Sequence, residues 1–121
     1  MSVNKKNILL VDDADLILHV INVFLQDAPY NLICTKSGKA ALNFLQKNRP
    51  HLFILDIDMP EMNGYELAMK IRECGQSAPI IFLTSNSTPE YVEKAMMVGA
   101  VDFIAKPISK AKFLERIAKL L

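Results

Sequence analysis

Asp12 and Asp13 close the apolar run ILLV (8–11), Asp56 closes LFIL (52–55), Thr84 closes IIFL (80–83), and Lys106 closes FIA (103–105). A fifth run, LIC (32–34), is followed by Thr35 and carries no comparable group. Carboxylates, a hydroxyl and an ammonium are the groups that hold a hard cation, accept a phosphoryl group and neutralise its oxygens. They lie far apart along the chain, so this chemistry exists only if the fold gathers them. Runs so short and so apolar predict strands of a parallel sheet buried on both faces. In an open parallel sheet the carboxyl ends of the strands share one edge, and ligands bind there. The pattern therefore predicts three carboxylates, a hydroxyl and an ammonium at a single place.

The segments between the runs have helical spacing. ADLILHVINVFLQD (14–27) is too apolar to show a clean stripe and stops before Ala28-Pro29. SGKAALNFLQKN (37–48) sets Ala41 and Leu45 four apart, with Ser37 as a cap. YELAMKIREC (65–74) puts Leu67 and Ile71 on one face and ends at Gly75, a left-handed stop. TPEYVEKAMMVG (88–99) begins with Thr88 as a cap and Pro89 at the first helical position, and Gly99 ends it. SKAKFLERIAKLL (109–121) aligns Phe113, Ile117 and Leu120 or Leu121. Five alternations of strand and helix predict an α/β fold with a parallel sheet and helices on both faces, and the commonest five-stranded order of this doubly wound type is the flavodoxin-like 2-1-3-4-5. No linker or repeat interrupts the pattern, so residues 1–121 read as one domain, with no output domain in view.

Composition excludes several classes. Half the residues are apolar, at 51%, too many for a disordered chain. The net charge is +1 with acids and bases dispersed, so direct nucleic-acid binding is not expected. No apolar run has membrane-spanning length, and MSVNKKN before the first strand is too short for a secretion signal. Cys34, expected in the sheet, and Cys74 lack CxxC spacing and read as reduced thiols of a cytoplasmic protein.

If strands one and three are neighbours, Asp12, Asp13 and Asp56 crowd together and repel unless a cation neutralises them. Mg²⁺ suits oxygen ligands and leaves room for a phosphate oxygen. Singly, each residue has a plainer reading. An Asp at a strand end often turns the chain or opens a helix, Thr84 could cap, and Lys106-Pro107 could be a solvated loop. Their conjunction at successive strand ends is what those readings explain poorly.

The segments ILLVDD (8–13), ILDIDMPEMNGYEL (54–67), PIIFLTS (79–85) and VGAVDFIAKP (98–107), with the spacing between them, resemble the receiver domain of two-component response regulators. The resemblance covers the whole chain. It implies a signalling switch in a bacterial cytoplasm that takes a phosphoryl group from the phosphohistidine of a histidine kinase or phosphotransfer protein. By that resemblance, Asp56 is the phosphorylation site. Asp13, Asp56 and the backbone carbonyl of Asp58 bind Mg²⁺, with Asp12 acting mostly through water. Lys106 pairs with the phosphoryl oxygens, and the Lys106-Pro107 bond is expected to be cis. Thr84 bonds the phosphoryl group once it is present, and Phe103 holds the position of the switch aromatic. An output that needs a hydroxyl at that position is not expected. The positions of Asp58 and Asn86 tune hydrolysis of the acyl phosphate, and Ser85 is the small residue wanted beside the phosphoryl group.

Other residues read as structural. His19 and His51 lack metal-ligand spacing, and neither is expected to donate phosphate. Met62, Met96 and Met97 read as packing, although the last two adjoin the expected output face. Two rival functions remain at this point. Asp56-Ile57-Asp58 resembles the DxD of haloacid-dehalogenase-type phosphatases, whose second Asp is a general acid, but those enzymes carry it on an early strand. A flavodoxin-like electron carrier would need a Ser/Thr/Gly-rich phosphate loop where Asp12-Asp13 stand.

Overall fold

The computed structural model describes residues 5–121; residues 1–4, counted in the expected domain and in MSVNKKN, lie outside the described residues. Five strands alternate with five helices in chain order: β1 (Lys6–Val11), α1 (Asp15–Phe24), β2 (Tyr30–Thr35), α2 (Gly38–Leu45), β3 (Leu52–Asp56), α3 (Gly64–Glu73), β4 (Ile80–Thr84), α4 (Pro89–Met97), β5 (Asp102–Ala105) and α5 (Lys110–Ala118). All strand pairs are parallel, and the order is β2-β1-β3-β4-β5, as expected.

Side chains alternate across each strand, which splits the core into two layers. Leu9, Val11, Phe53, Leu55 and Phe82 pack with Ala41 and Leu45 of α2, Leu67 and Ile71 of α3, and Ala95 of α4. Ile8, Leu10, Ile54, Ile81, Leu83 and Ile104 pack with Ile21 of α1 and Phe113 and Ile117 of α5. Both layers are apolar because the central strands have no solvent face; all five residues of β3 and of β4 are buried. Thr84 lies two residues beyond Phe82, and Phe103 pairs with Phe82. Register and alternation therefore put both on the α4 side of the sheet.

Most of the expected boundaries hold. Ser37 accepts from the Ala40 N–H at 3.0 Å, and Gly75 and Gly99 adopt φ of 83° and 91° at the ends of α3 and α4. Pro89 occupies the start of α4. Cys34 lies on β2, and both cysteines are exposed free thiols. Three expectations need correction. Helix α1 ends at Phe24 rather than reaching Asp27, because the last turn tightens, with Gln26 N–H donating to the Val23 carbonyl at 3.3 Å. Thr88 makes no side-chain cap; its N–H instead donates to Asn86 Oδ1 at 3.1 Å, and that turn shapes the entry to α4. Met62 packs against the core, but Met96 and Met97 are exposed, at 48% and 79%, on the outer side of α4. Among the described residues no helix is long and apolar enough to cross a membrane.

Candidate functional site

The chain passes from β1 outward to β2 and then back across β1 to β3, so the direction of winding reverses between β1 and β3. A crevice opens at the carboxyl ends of strands where this happens. Val11 pairs with Leu55, which sets Asp12 and Asp13 beside Asp56. Carboxylate oxygens of these three residues lie within 4.8 Å of one another. From the neighbouring strands, β4 contributes Thr84, and Lys106 follows β5 directly. The Lys106 N–H donates to the Thr84 carbonyl at 2.8 Å, which ties the two strand ends together. The Lys106–Pro107 peptide is cis, as expected.

Lys106 spans the crevice. Its Nζ donates to Asp12 Oδ2 at 3.0 Å and to Asp56 Oδ1 at 3.2 Å. Asp12 and Thr84 are fully buried, Asp56 is 4% exposed, and Asp13 faces solvent. Asp12 uses its second oxygen, Oδ1, to accept from the Ala14 N–H at 2.9 Å. Ala14 is the N-cap of α1 and no side chain caps that helix, so capping does not account for the Asp12-Asp13 pair, although the Asp12 bond to Ala14 turns the chain into α1.

The electrostatics are unbalanced. Three carboxylates against one ammonium leave two negative charges in excess. Burial, then the Asp12 charge, push the Asp56 carboxyl up to about 6, with Asp13 adding and Lys106 opposing. Burial also works against charge on Lys106, but its hydrogen bond to Asp12 and the charges of Asp12 and Asp56 outweigh this and raise its pKa. An all-oxygen donor set with two uncompensated negative charges fits a hard divalent cation, and soft-metal ligands are absent from the cluster.

The loop after β3 is held closely against Asp56. Gly64 donates its N–H to the Ile57 carbonyl at 2.8 Å, and a Cβ on Gly64 would sit 2.3 Å from the Asp56 carbonyl oxygen and 2.9 Å from Ile57 Cα. Backbone cannot yield as a flexible side chain does. Gly64→Ala is therefore expected to destabilise the fold by about 1–3 kcal/mol or more, and to displace Asp56. Urea unfolding checks the first and Mg²⁺ titration the second; a variant matching the natural protein in both would refute the close packing.

His51 lies at the opposite edge of the sheet, where its Nδ1 accepts from the Asn7 N–H at 2.9 Å. Two groups near the site carry no mark in the strand-end pattern. Tyr91, in the first turn of α4, donates its hydroxyl to Asp58 Oδ1 at 3.0 Å. Asn63 and Glu66 form a reciprocal capping box at the start of α3, with bonds of 2.9 and 3.0 Å. The N-x-x-E spacing could have revealed the second; nothing local reveals the first.

A 2-1-3-4-5 sheet with an acidic cluster, a bridging lysine and a buried threonine on its carboxyl edge defines a phospho-accepting signalling domain. The family model for the response regulator receiver domain matches residues 8–118, and the chain belongs to that family. It is similar to a probable transcriptional regulator, ycf27, of Cyanophora paradoxa, at 33% identity over all of this chain and 50% of that protein. It is also similar to histidine kinase P4 of Formosa agariphila, at 38% identity over 97% of this chain and 9% of the kinase. The chain thus spans half or less of the length of these curated relatives. Among solved structures, the chemotaxis protein CheY4 of Vibrio cholerae superposes with a TM-score of 0.92 at 32% identity, covering 98% of this chain and 100% of that one. The chain is a receiver module of two-component signalling, and its Asp56-Ile57-Asp58 belongs to that module rather than to a dehalogenase-type phosphatase.

Proposed function

We propose that residues 1–121 form one receiver domain that accepts a phosphoryl group on Asp56 and converts it into a change of the surface formed by α4, β5 and α5. The donor is the phosphohistidine of a histidine kinase or phosphotransfer protein in the cytoplasm. The observation that carries this reading is the Lys106 bridge to Asp12 and Asp56 beside a cluster with two excess negative charges. Asp13, Asp56 and the Asp58 backbone carbonyl would hold Mg²⁺, with Asp12 acting mostly through water, and the ion would neutralise charge on the cluster and the incoming phosphoryl oxygens.

The chain's own residues supply the rest. An Asp56 oxygen bonds to phosphorus as the P–N bond of the donor breaks, and the electron pair returns to the imidazole. Lys106, kept charged by its two carboxylate partners, pairs with the phosphoryl oxygens. Thr84 offers its hydroxyl from the buried end of β4. Phe103 stands on the same side of the sheet, where a shift of Thr84 opens or closes room for its ring. Intact-mass measurement after incubation with acetyl phosphate, with Mg²⁺ or with EDTA, tests the acceptor; an adduct equally abundant under both conditions refutes the metal-assisted reading.

The switch has its own test. A ligand moves a two-state equilibrium only by its differential affinity for the two states. Beryllofluoride, standing in for the phosphoryl group, is expected to shift backbone resonances of α4, β5 and α5, and Thr84→Ala to weaken that remote response more than it weakens Mg²⁺ binding. Shifts confined to the loops after Asp13, Asp56 and Thr84 would remove the switch.

A further inference from the structure

The loops that follow the acceptor strand and the threonine strand are joined by a hydrogen-bonded arc. It starts at Thr84, whose Oγ accepts from the Asn86 N–H at 3.1 Å. The Asn86 side chain accepts from the Thr88 N–H at 3.1 Å, which sets the entry to α4 and with it Tyr91 three residues on. Tyr91 then crosses to the other loop and donates to Asp58 Oδ1 at 3.0 Å. Asp56 pairs with Leu83 in register, so Asp58 and Asn86, each two residues past its strand end, flank the same stretch of edge.

Tyr91 is held for this task. Its backbone carbonyl accepts from the Tyr65 hydroxyl at 3.0 Å, and its ring meets the Tyr65 ring edge-on at 6.2 Å between centroids. Tyr65 is itself buried, stacks edge-on against Phe82 at 5.4 Å, and carries Lys94 Nζ 4.9 Å from its ring centroid. The aromatic anchor thus fixes where the Tyr91 hydroxyl stands, and the hydroxyl fixes the Asp58 carboxylate.

We propose that Tyr91 is a positioning residue for the loss of the phosphoryl group: it holds the Asp58 carboxylate in the arc, away from the phosphorus, and so lengthens the life of the acyl phosphate. This rests on Asp56 being the acceptor. In hydrolysis, a water oxygen bonds to phosphorus as the bond from phosphorus to the Asp56 oxygen breaks. The electron pair stays on the Asp56 carboxylate, and the water proton passes to a nearby base before inorganic phosphate leaves. A carboxylate released from Tyr91, two residues from the acceptor, is free to turn toward that water as its base, whereas one held by the hydroxyl is kept on the Tyr91 side of the loop.

Tyr91→Phe removes the hydroxyl and keeps the ring on Tyr65. The domain is phosphorylated with acetyl phosphate and Mg²⁺, the donor is removed, and decay of the adduct is followed by intact mass. The expected result is a decay at least about threefold faster in Tyr91→Phe, the scale of one exposed hydrogen bond. In an Asp58→Asn background, which lacks the base, the same substitution is expected to leave the decay unchanged. A general loosening of α4 would speed decay equally in both backgrounds and would overturn the proposal, as would equal lifetimes for Tyr91→Phe and the natural protein. If no adduct forms on the natural protein, the acceptor assignment fails first and this inference falls with it.

Discussion

Asp56→Asn is expected to leave no covalent phosphoryl adduct under conditions that phosphorylate the natural protein fully. The reason lies in how the three carboxylates are occupied. Asp12 is fully buried and has both oxygens engaged, one by the Ala14 N–H and one by Lys106. Asp13 faces solvent, away from the ammonium that would neutralise a phosphoryl group. Asp56 gives Oδ1 to Lys106, which leaves Oδ2, at the crevice between β1 and β3, free for the proposed attack on phosphorus. Its pKa of about 6 leaves it mostly ionised at neutral pH even before a cation lowers it further. An asparagine amide has nearly the same shape but neither the charge nor the nucleophilicity. Lys106→Ala is expected to slow adduct formation by about 10²–10³ without abolishing it, because a preorganised charge is lost and the nucleophile remains. Intact-mass time courses separate the two outcomes. An adduct that persists in Asp56→Asn, or a Lys106→Ala rate equal to the natural one, would take the chemistry away from these residues.

The parts of this site that were legible in the sequence are those set by strand geometry. Each of Asp12, Asp13, Asp56, Thr84 and Lys106 immediately follows or ends an apolar run, and a parallel sheet carries every such position to one edge. The fold was legible for the same reason, since buried parallel strands leave runs without polar interruption. What escaped depends on contacts between side chains distant in sequence. Tyr91 looks like an ordinary residue of an amphipathic helix, and its role appears only when α4 packs beside the loop after β3. Thr88 has the right type for a cap, yet Asn86 takes its N–H from outside the helix. Met96 and Met97 are apolar in sequence and exposed in the fold, because the narrow buried side of α4 is filled by Ala95.

In metal-free buffer, Asp56→Asn is expected to melt higher than the natural protein at neutral pH, and the difference is expected to shrink as the pH falls below about 6. The Asp56 carboxyl is raised from 3.8 to about 6, chiefly by burial and by Asp12. Between those values the folded chain keeps a proton that the unfolded chain has released. Stability then falls as pH rises through that window, and the whole penalty is present above about 6. A rise of roughly two pH units corresponds to about 3 kcal/mol at most. The amide's imperfect hydrogen bonding to Lys106 reduces the gain to about 1–2 kcal/mol, at roughly 3–6 °C per kcal/mol for a domain of this size. Lys106 keeps its bond to Asp12 in the variant, so the ammonium is not orphaned. Mg²⁺ should reverse the order. It is expected to stabilise the natural protein by about 1.4 kcal/mol for each tenfold excess over its Kd, and Asp56→Asn much less. Thermal melts over a pH series, with and without Mg²⁺, read all of this at once. A variant that melts lower at neutral pH, or a gain that does not change with pH, would mean that Asp56 is not strained by its neighbours. The charge that destabilises the metal-free domain is the charge that draws the cation in, so the two effects should rise and vanish together.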